Sequence, residues 1–272
     1  MIKKPHLSLA LLACALVSLA GCGGSALAPS GAGDQAAPPL SAIATISGHG
    51  ATTVVLQSGL QDDRTSWSSV QPRLAKHATV ISHDRPGRGA YGPALTSRDP
   101  CSIAREQHAL LQRAGLPPPY VLVGHSLGGL YQYAFARLYP DEVAGMVLID
   151  PTHPAHWATM QREHPGSAAL MRAIRLTAFT TADRAEFDQQ SECIDTLPPP
   201  RAHPTPTILL VSGQRRPEEL GMVPMIERLR KDWLRLLGIG GMERVKDAGH
   251  YVQHDRPDVV VKAVQSVISA IE

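Results

Sequence analysis

Aromatic side chains are scarce in this 272-residue chain: three Trp, three Phe and six Tyr, 4% in all. Aliphatic residues must therefore fill its core, and the chain is long enough to bury a sizeable one. Charge of either sign is also in short supply, with a net of only +2 and no basic stripe. Phosphate recognition rests on clustered Lys and Arg, so nucleic acid is excluded as the main partner. The apolar run over residues 7–19 is too short to span a membrane, because a helix rises about 1.5 Å per residue and a bilayer core is about 30 Å thick. No internal repeat is visible. His153 and His156 lack a third ligand at metal-binding spacing, so neither a metal nor a cofactor is expected.

Lys3 and Lys4 precede the apolar run, which is the pattern of a secretory signal; a buried core helix is the alternative. Leu19-Ala20-Gly21-Cys22 follows and resembles the bacterial lipobox. That resemblance implies cleavage before Cys22, so that residues 1–21 are a signal peptide, and several acyl chains on Cys22. Multiple chains make a stable membrane anchor where one would be marginal. Gly23 is similar to an outer-membrane address in a cell with two membranes. The expected location is the bacterial cell envelope, lipid-anchored, with plain secretion as the alternative. Residues 22–39 are rich in Gly, Ala, Ser and Pro and read as a flexible tether. The folded domain then covers 40–272. Cys14 leaves with the signal, and an oxidising compartment would let Cys101 and Cys193 pair; two buried free thiols is the alternative.

Within the domain, short β-branched runs alternate with helical patterns. Residues 53–56, 79–81, 120–123, 146–149 and 208–211 read as strands, nearly continuous in apolar character, as in a parallel sheet covered on both faces. Asp99 and Pro100 predict a helix start, with Gly115 at its end. A second helix is predicted between Ser126 and Pro140. A last one starts at Pro257, with Val260, Val264, Val267, Ile268 and Ile271 on one face. This alternation predicts a doubly wound α/β sheet. The stretch 151–204 breaks the rhythm and reads as a small helical cap over the edge where such sheets bind ligands.

The run 120–123 leads directly into Gly124-His125-Ser126-Leu127-Gly128. A Gly-x-Ser-x-Gly pattern between a strand and a helix predicts a strained turn that holds the hydroxyl out at the sheet edge. Ser126 is therefore the candidate nucleophile, and a serine hydroxyl needs a base. His250 lies in the loop before the last helix, on the same sheet edge; His254 is the competing candidate. His125 is expected to pack or hydrogen-bond locally.

Taken together, Gln57-Ser58-Gly59-Leu60, His83-Asp84-Arg85-Pro86-Gly87-Arg88-Gly89, the serine elbow, Asp150-Pro151-Thr152-His153-Pro154 and Gly249-His250 resemble the α/β-hydrolase superfamily, in its single-domain esterase and lipase-like branch. The resemblance covers roughly residues 40–272. It implies a mostly parallel α/β-hydrolase sheet with a cap at about 151–204, and the order nucleophile, acid, histidine along the chain. The common acid position after residues 208–211 holds no aspartate, so the acid is expected at Asp150, with Glu218 and Glu219 as alternatives. The oxyanion-hole donors are expected to be the backbone N–H groups of Leu60 and Leu127, although Ser58 stands where the family usually has histidine. Asp84 and Arg85 are read as a structural turn rather than substrate contacts. The implied activity is hydrolysis of a small-molecule carboxylic ester through an acyl-enzyme. Amide hydrolysis, acyl transfer and a non-catalytic envelope binding protein on the same fold are the alternatives.

Overall fold

Strand alternation and burial explain the architecture of the computed structural model, which describes residues 38–200 and 205–272. The expectations for residues 1–37, including the signal, Cys22 and most of the tether, lie outside the described residues. No helix among the described residues is long and apolar enough to cross a membrane. Seven strands form one sheet: β1 Ala44–Ser47, β2 Thr53–Gln57, β3 Thr79–His83, β4 Tyr120–His125, β5 Val143–Ile149, β6 Thr207–Ser212 and β7 Glu243–Val245. Their order is β1-β3-β2-β4-β5-β6-β7. β1 pairs antiparallel with β3, and every other pair is parallel. This is an α/β-hydrolase sheet, as the motifs imply.

All five residues of β2 and all six of β4 are buried, and their side chains alternate between two cores. Val55, Leu122 and Leu148 face one core, formed with helices Pro100–Arg113, Leu127–Leu138 and Val223–Leu237; Val54, Leu56, Val121, Val123 and Val147 face the other, against helix Pro257–Ile271. A period of two inside a wholly apolar run is the signature of a strand covered on both faces.

The predicted helices form as Pro100–Arg113, Leu127–Leu138 and Pro257–Ile271, the first with its side-chain cap in place. Asp99 accepts hydrogen bonds from the N–H groups of Cys101 and Ser102 at the start of helix Pro100–Arg113, and Gly115 takes a left-handed φ of 65° beyond its end. Such a φ costs glycine nothing. β1, β7 and helix Val223–Leu237 are among the elements that go beyond the sequence reading. β1 is an edge strand with a mixed burial pattern and half-exposed Ile46, so it carries no apolar run. Helix Val223–Leu237 buries Met225, Leu229, Trp233 and Leu237, an every-fourth-residue stripe that argues for a helix once noticed.

Between β5 and β6 the chain leaves the sheet and forms helices His156–Glu163, Pro165–Ala178 and Thr181–Asp188 and a short turn at Ile194–Thr196. A disulfide and a buried ion pair are among the contacts that tie this cap down. Cys193 is disulfide-bonded to Cys101 at the start of helix Pro100–Arg113. Glu186, wholly buried, pairs with Arg85 at 2.9 Å beyond the end of β3.

Candidate active site

The sheet order reverses between β2 and β4, which is where an open α/β sheet leaves a crevice beyond its strand ends. In register, Gln57 stands beside Gly124, and His125 beside Ile149. The loops that follow these three strands therefore meet. Ser126 is the first residue past β4, with φ 54° and ψ −123°. That conformation is costly for a residue with a side chain and persists only where the surroundings enforce it. Here the Ser126 N–H donates to the Ile149 carbonyl at 3.0 Å, and the Ser126 carbonyl accepts from Thr152 N–H at 3.0 Å. The flanking glycines are sterically required. A Cβ on Gly128 would lie 2.3 Å from the Gln57 carbonyl oxygen, and one on Gly124 would lie 2.4 Å from that of Gly128.

Asp150 ends β5 with φ 41°, and its N–H donates to Leu210 O at 2.8 Å. Both oxygens of its carboxylate are engaged. Oδ2 accepts from His250 Nδ1 at 2.8 Å. Oδ1 accepts from Arg230 Nη2 at 2.5 Å and from the Ser212 N–H at 3.2 Å. Burial opposes ionisation of this carboxyl, yet the hydrogen bond and charge of His250, with Arg230 and Ser212, hold it well below the usual carboxylate range. Asp150 is thus an ionised group at any physiological pH, bonded to the imidazole of His250 across a sequence separation of one hundred residues.

Ser126, Asp150 and His250 line one cavity of about 370 Å³. The Ser126 hydroxyl contacts Thr152 Oγ1 at 3.5 Å and makes no hydrogen bond to His250 in this structure. Unliganded sites of this type are often loose and tighten when substrate binds. Leu60 and Leu127 line the same cavity. Among the described residues neither of their N–H groups donates to a protein acceptor. Gly59 sits against the elbow: a Cβ built on it would be 3.1 Å from Ser126 Cβ. Ser58, in place of the usual histidine, is buried and accepts from Trp67 Nε1 at 2.9 Å while donating to the Asp63 carbonyl at 2.7 Å.

The remaining candidates fall elsewhere. His254 Nε2 lies 3.1 Å from the Ser66 carbonyl and does not line the cavity. His125 Nε2 donates to the His250 carbonyl at 2.9 Å, so it braces the loop that carries the other imidazole. Burial pushes its basicity down. His153 Nε2 pairs with Asp232 at 3.0 Å. His156 lines the cavity and burial drops it to about 4, leaving it neutral at physiological pH. Glu219 lines the cavity too, but its carboxylate binds the Arg216 side chain at 2.8 Å. The side chain of Glu218 lies outside the described residues. Asp84 is buried and accepts from the Arg64 N–H at 2.9 Å.

Sequence reasoning missed Arg230 and Glu186. Arg230 sits on the buried arc of helix Val223–Leu237, next to Leu229. A charge inside an apolar stripe demands a buried partner, which was the available signal. Apolar side chains of the cap and of this helix also line the cavity, among them Trp157, Met160, Phe179, Phe187, Ile226 and Trp233.

Known proteins share this architecture. The Alpha/beta hydrolase family model matches residues 46–263. The uncharacterized protein YqjL of Bacillus subtilis (strain 168) is 25% identical over 224 residues, covering 81% of this chain and 85% of its own. A thermophilic esterase from Thermogutta terrifontis superposes with a TM-score of 0.62 at 24% identity, over 84% of this chain and 93% of that one. The epoxide hydrolase CorEH superposes with a TM-score of 0.58 at 18% identity, over 84% and 95%. Structural likeness at these identities shows the fold and leaves the chemistry to the residues in the cavity.

Proposed function

The chain belongs to the α/β-hydrolase family, and from that premise we propose that it is a serine hydrolase cleaving carboxylic esters through an acyl-enzyme. The observation that carries this reading is the Asp150–His250 pair opening into the same cavity as the strained Ser126. Serine at the elbow sets it apart from epoxide opening, for which the fold uses an elbow aspartate. In the proposed cycle Ser126 Oγ attacks the ester carbonyl carbon while His250 Nε2 takes its proton. Asp150 keeps the other ring proton on Nδ1 and stabilises the imidazolium. The oxyanion accepts from the N–H groups of Leu60 and Leu127, each such donor being worth about 3 kcal/mol in the transition state. His250 then protonates the departing alcohol. Water, activated by the same imidazole, releases the acid and restores Ser126.

Labelling with a serine-directed fluorophosphonate tests this reading. The pure folded protein is expected to be labelled stoichiometrically, and Ser126→Ala to be blank. An unlabelled wild type would instead favour a binding protein on the same fold.

The N-terminal segment supports a location for this activity. We propose that Cys22 carries the acyl chains and that residues 22–39 tether the hydrolase to a membrane surface in the cell envelope. Expression of Cys22→Ala in a bacterium that processes lipoproteins is expected to move the protein from the membrane pellet to the soluble fraction. Retention in the pellet would rule out the lipid anchor.

A further inference from the structure

The peptide between Gly59 and Leu60 has two ends with different fates. Its N–H is the proposed oxyanion donor and has no partner among the described residues. Its carbonyl accepts from Arg85 Nη2 at 2.8 Å and, at the longer distance of 3.3 Å, from the Asp62 N–H, and the preceding carbonyl, that of Ser58, accepts from Arg85 Nη1 at 2.7 Å. A trans peptide is planar, with C=O and N–H pointing opposite ways. Fixing the Gly59 oxygen therefore fixes the direction in which the Leu60 N–H points. The positive charge at the oxygen also draws electrons along the peptide and makes that N–H a stronger donor.

The guanidinium is itself immobilised. Its Nε and Nη2 donate to the two oxygens of Glu186 at 3.0 and 2.9 Å, and its central carbon lies over the Tyr131 ring, 5.3 Å from the centroid. Arg85 is 2% exposed and Glu186 wholly buried. Four of the five guanidinium N–H bonds are thereby accounted for, two on the oxyanion loop and two on the cap. No other side chain offers that planar fork; lysine projects its donors from a single point.

We propose that Arg85 is a positioning residue that aims the Leu60 N–H at the oxyanion, and that Glu186 couples this aim to the seating of the cap. The proposal rests on the acyl-enzyme reading above. It makes the cap helix Thr181–Asp188 part of the catalytic alignment as well as a cover. A cap displaced from its seat would release the guanidinium, and with it the orientation of the peptide.

Arg85→Lys is the direct test, because it keeps the cation beside Glu186 but cannot hold two carbonyls in one plane. The assay uses the p-nitrophenyl ester that the wild type turns over best, with rates divided by active sites titrated with fluorophosphonate. Butylboronic acid serves as the tetrahedral mimic. We expect kcat per titrated site to fall about ten- to hundred-fold, KM to stay within about threefold, and boronate affinity to drop in parallel with kcat. The paired variant Arg85→Gln/Glu186→Gln removes one charge of each sign and so keeps the cluster balanced; it covers the case in which Arg85→Lys does not fold, and the same losses are expected from it. A lowered melting temperature with kcat per site and boronate affinity both at wild-type values would reduce Arg85 to a structural brace and overturn the proposal. A wild type that turns over no ester and takes no label would instead remove the hydrolase reading itself, and this inference with it.

Discussion

Asp150→Asn is expected to lower kcat/KM for esters by about ten-thousand-fold while leaving the protein folded. The magnitude follows from the tautomer, since comparable acid-to-amide changes in serine hydrolase triads cost about 10⁴ in turnover. Arg230 sharpens the argument here. Its guanidinium holds Asp150 Oδ1 at 2.5 Å and would claim the oxygen of an asparagine amide in the same place. The amide nitrogen would then face His250 Nδ1, donor against donor. To avoid that clash the ring must shift its remaining proton to Nε2, the atom that accepts from Ser126 in the proposed cycle. The fold is expected to survive, because Arg230 keeps Glu227 at 3.1 Å and the Ser212 hydroxyl at 2.6 Å. Glu219→Gln is the matched control. Its carboxylate is committed to Arg216, so turnover should stay within about a few-fold. Steady-state kinetics on both variants decide the matter. Full activity in Asp150→Asn with loss in Glu219→Gln would move the acid to the loop after β6.

Glu186→Ala is expected to cost about 3–5 kcal/mol of stability, the usual penalty for removing one partner of a buried ion pair. Three guanidiniums surround this carboxylate: Arg85 at 2.9 Å, Arg88 at 3.1 Å and Arg98 at 3.6 Å. Arg88 also pairs with Asp183, and Arg98 with Glu106 at 2.8 Å. The cluster thus balances three cations against three carboxylates, and deleting Glu186 strands positive charge where solvent cannot reach it. For a body of this size each kcal/mol moves the melting point roughly 2–4 °C, so a drop on the order of 10 °C should appear in calorimetry. A pH dependence follows. Burial opposes ionisation of Glu186, but the charge and hydrogen bond of Arg85, then Arg88 and Arg98, outweigh it and draw the carboxyl from 4.5 down to about 2. The unfolded chain takes up the proton first. This contribution is therefore complete above pH 4.5 or so and drains away as pH falls toward 2. Glu186→Ala should show a smaller change than wild type over that window. Equal acid sensitivity in the two proteins would mean that other carboxylates govern it.

The local chemistry of this protein is written in its sequence because it depends on near neighbours. Wholly apolar runs become buried parallel strands, Asp99 and Pro100 start a helix where the Asp99 cap dictates, and Gly124 permits a turn that any larger residue would block by collision with the Gly128 backbone four residues on. The order of elbow serine, strand-end aspartate and late histidine also fixes which residues reach one edge of the sheet. Other features came only from packing. Arg230 and Glu186 are ordinary charged residues on helices until the fold brings them to Asp150 and Arg85, eighty and about one hundred positions away. Whether Asp150 or a glutamate after β6 meets His250, whether Cys101 reaches Cys193, and what Arg85 holds in its fork are all questions of distance between remote segments. A periodic pattern reports which face of an element is buried, whereas ion pairing depends on which buried faces meet, and that is decided only when the sheet, its helices and the cap close on one another.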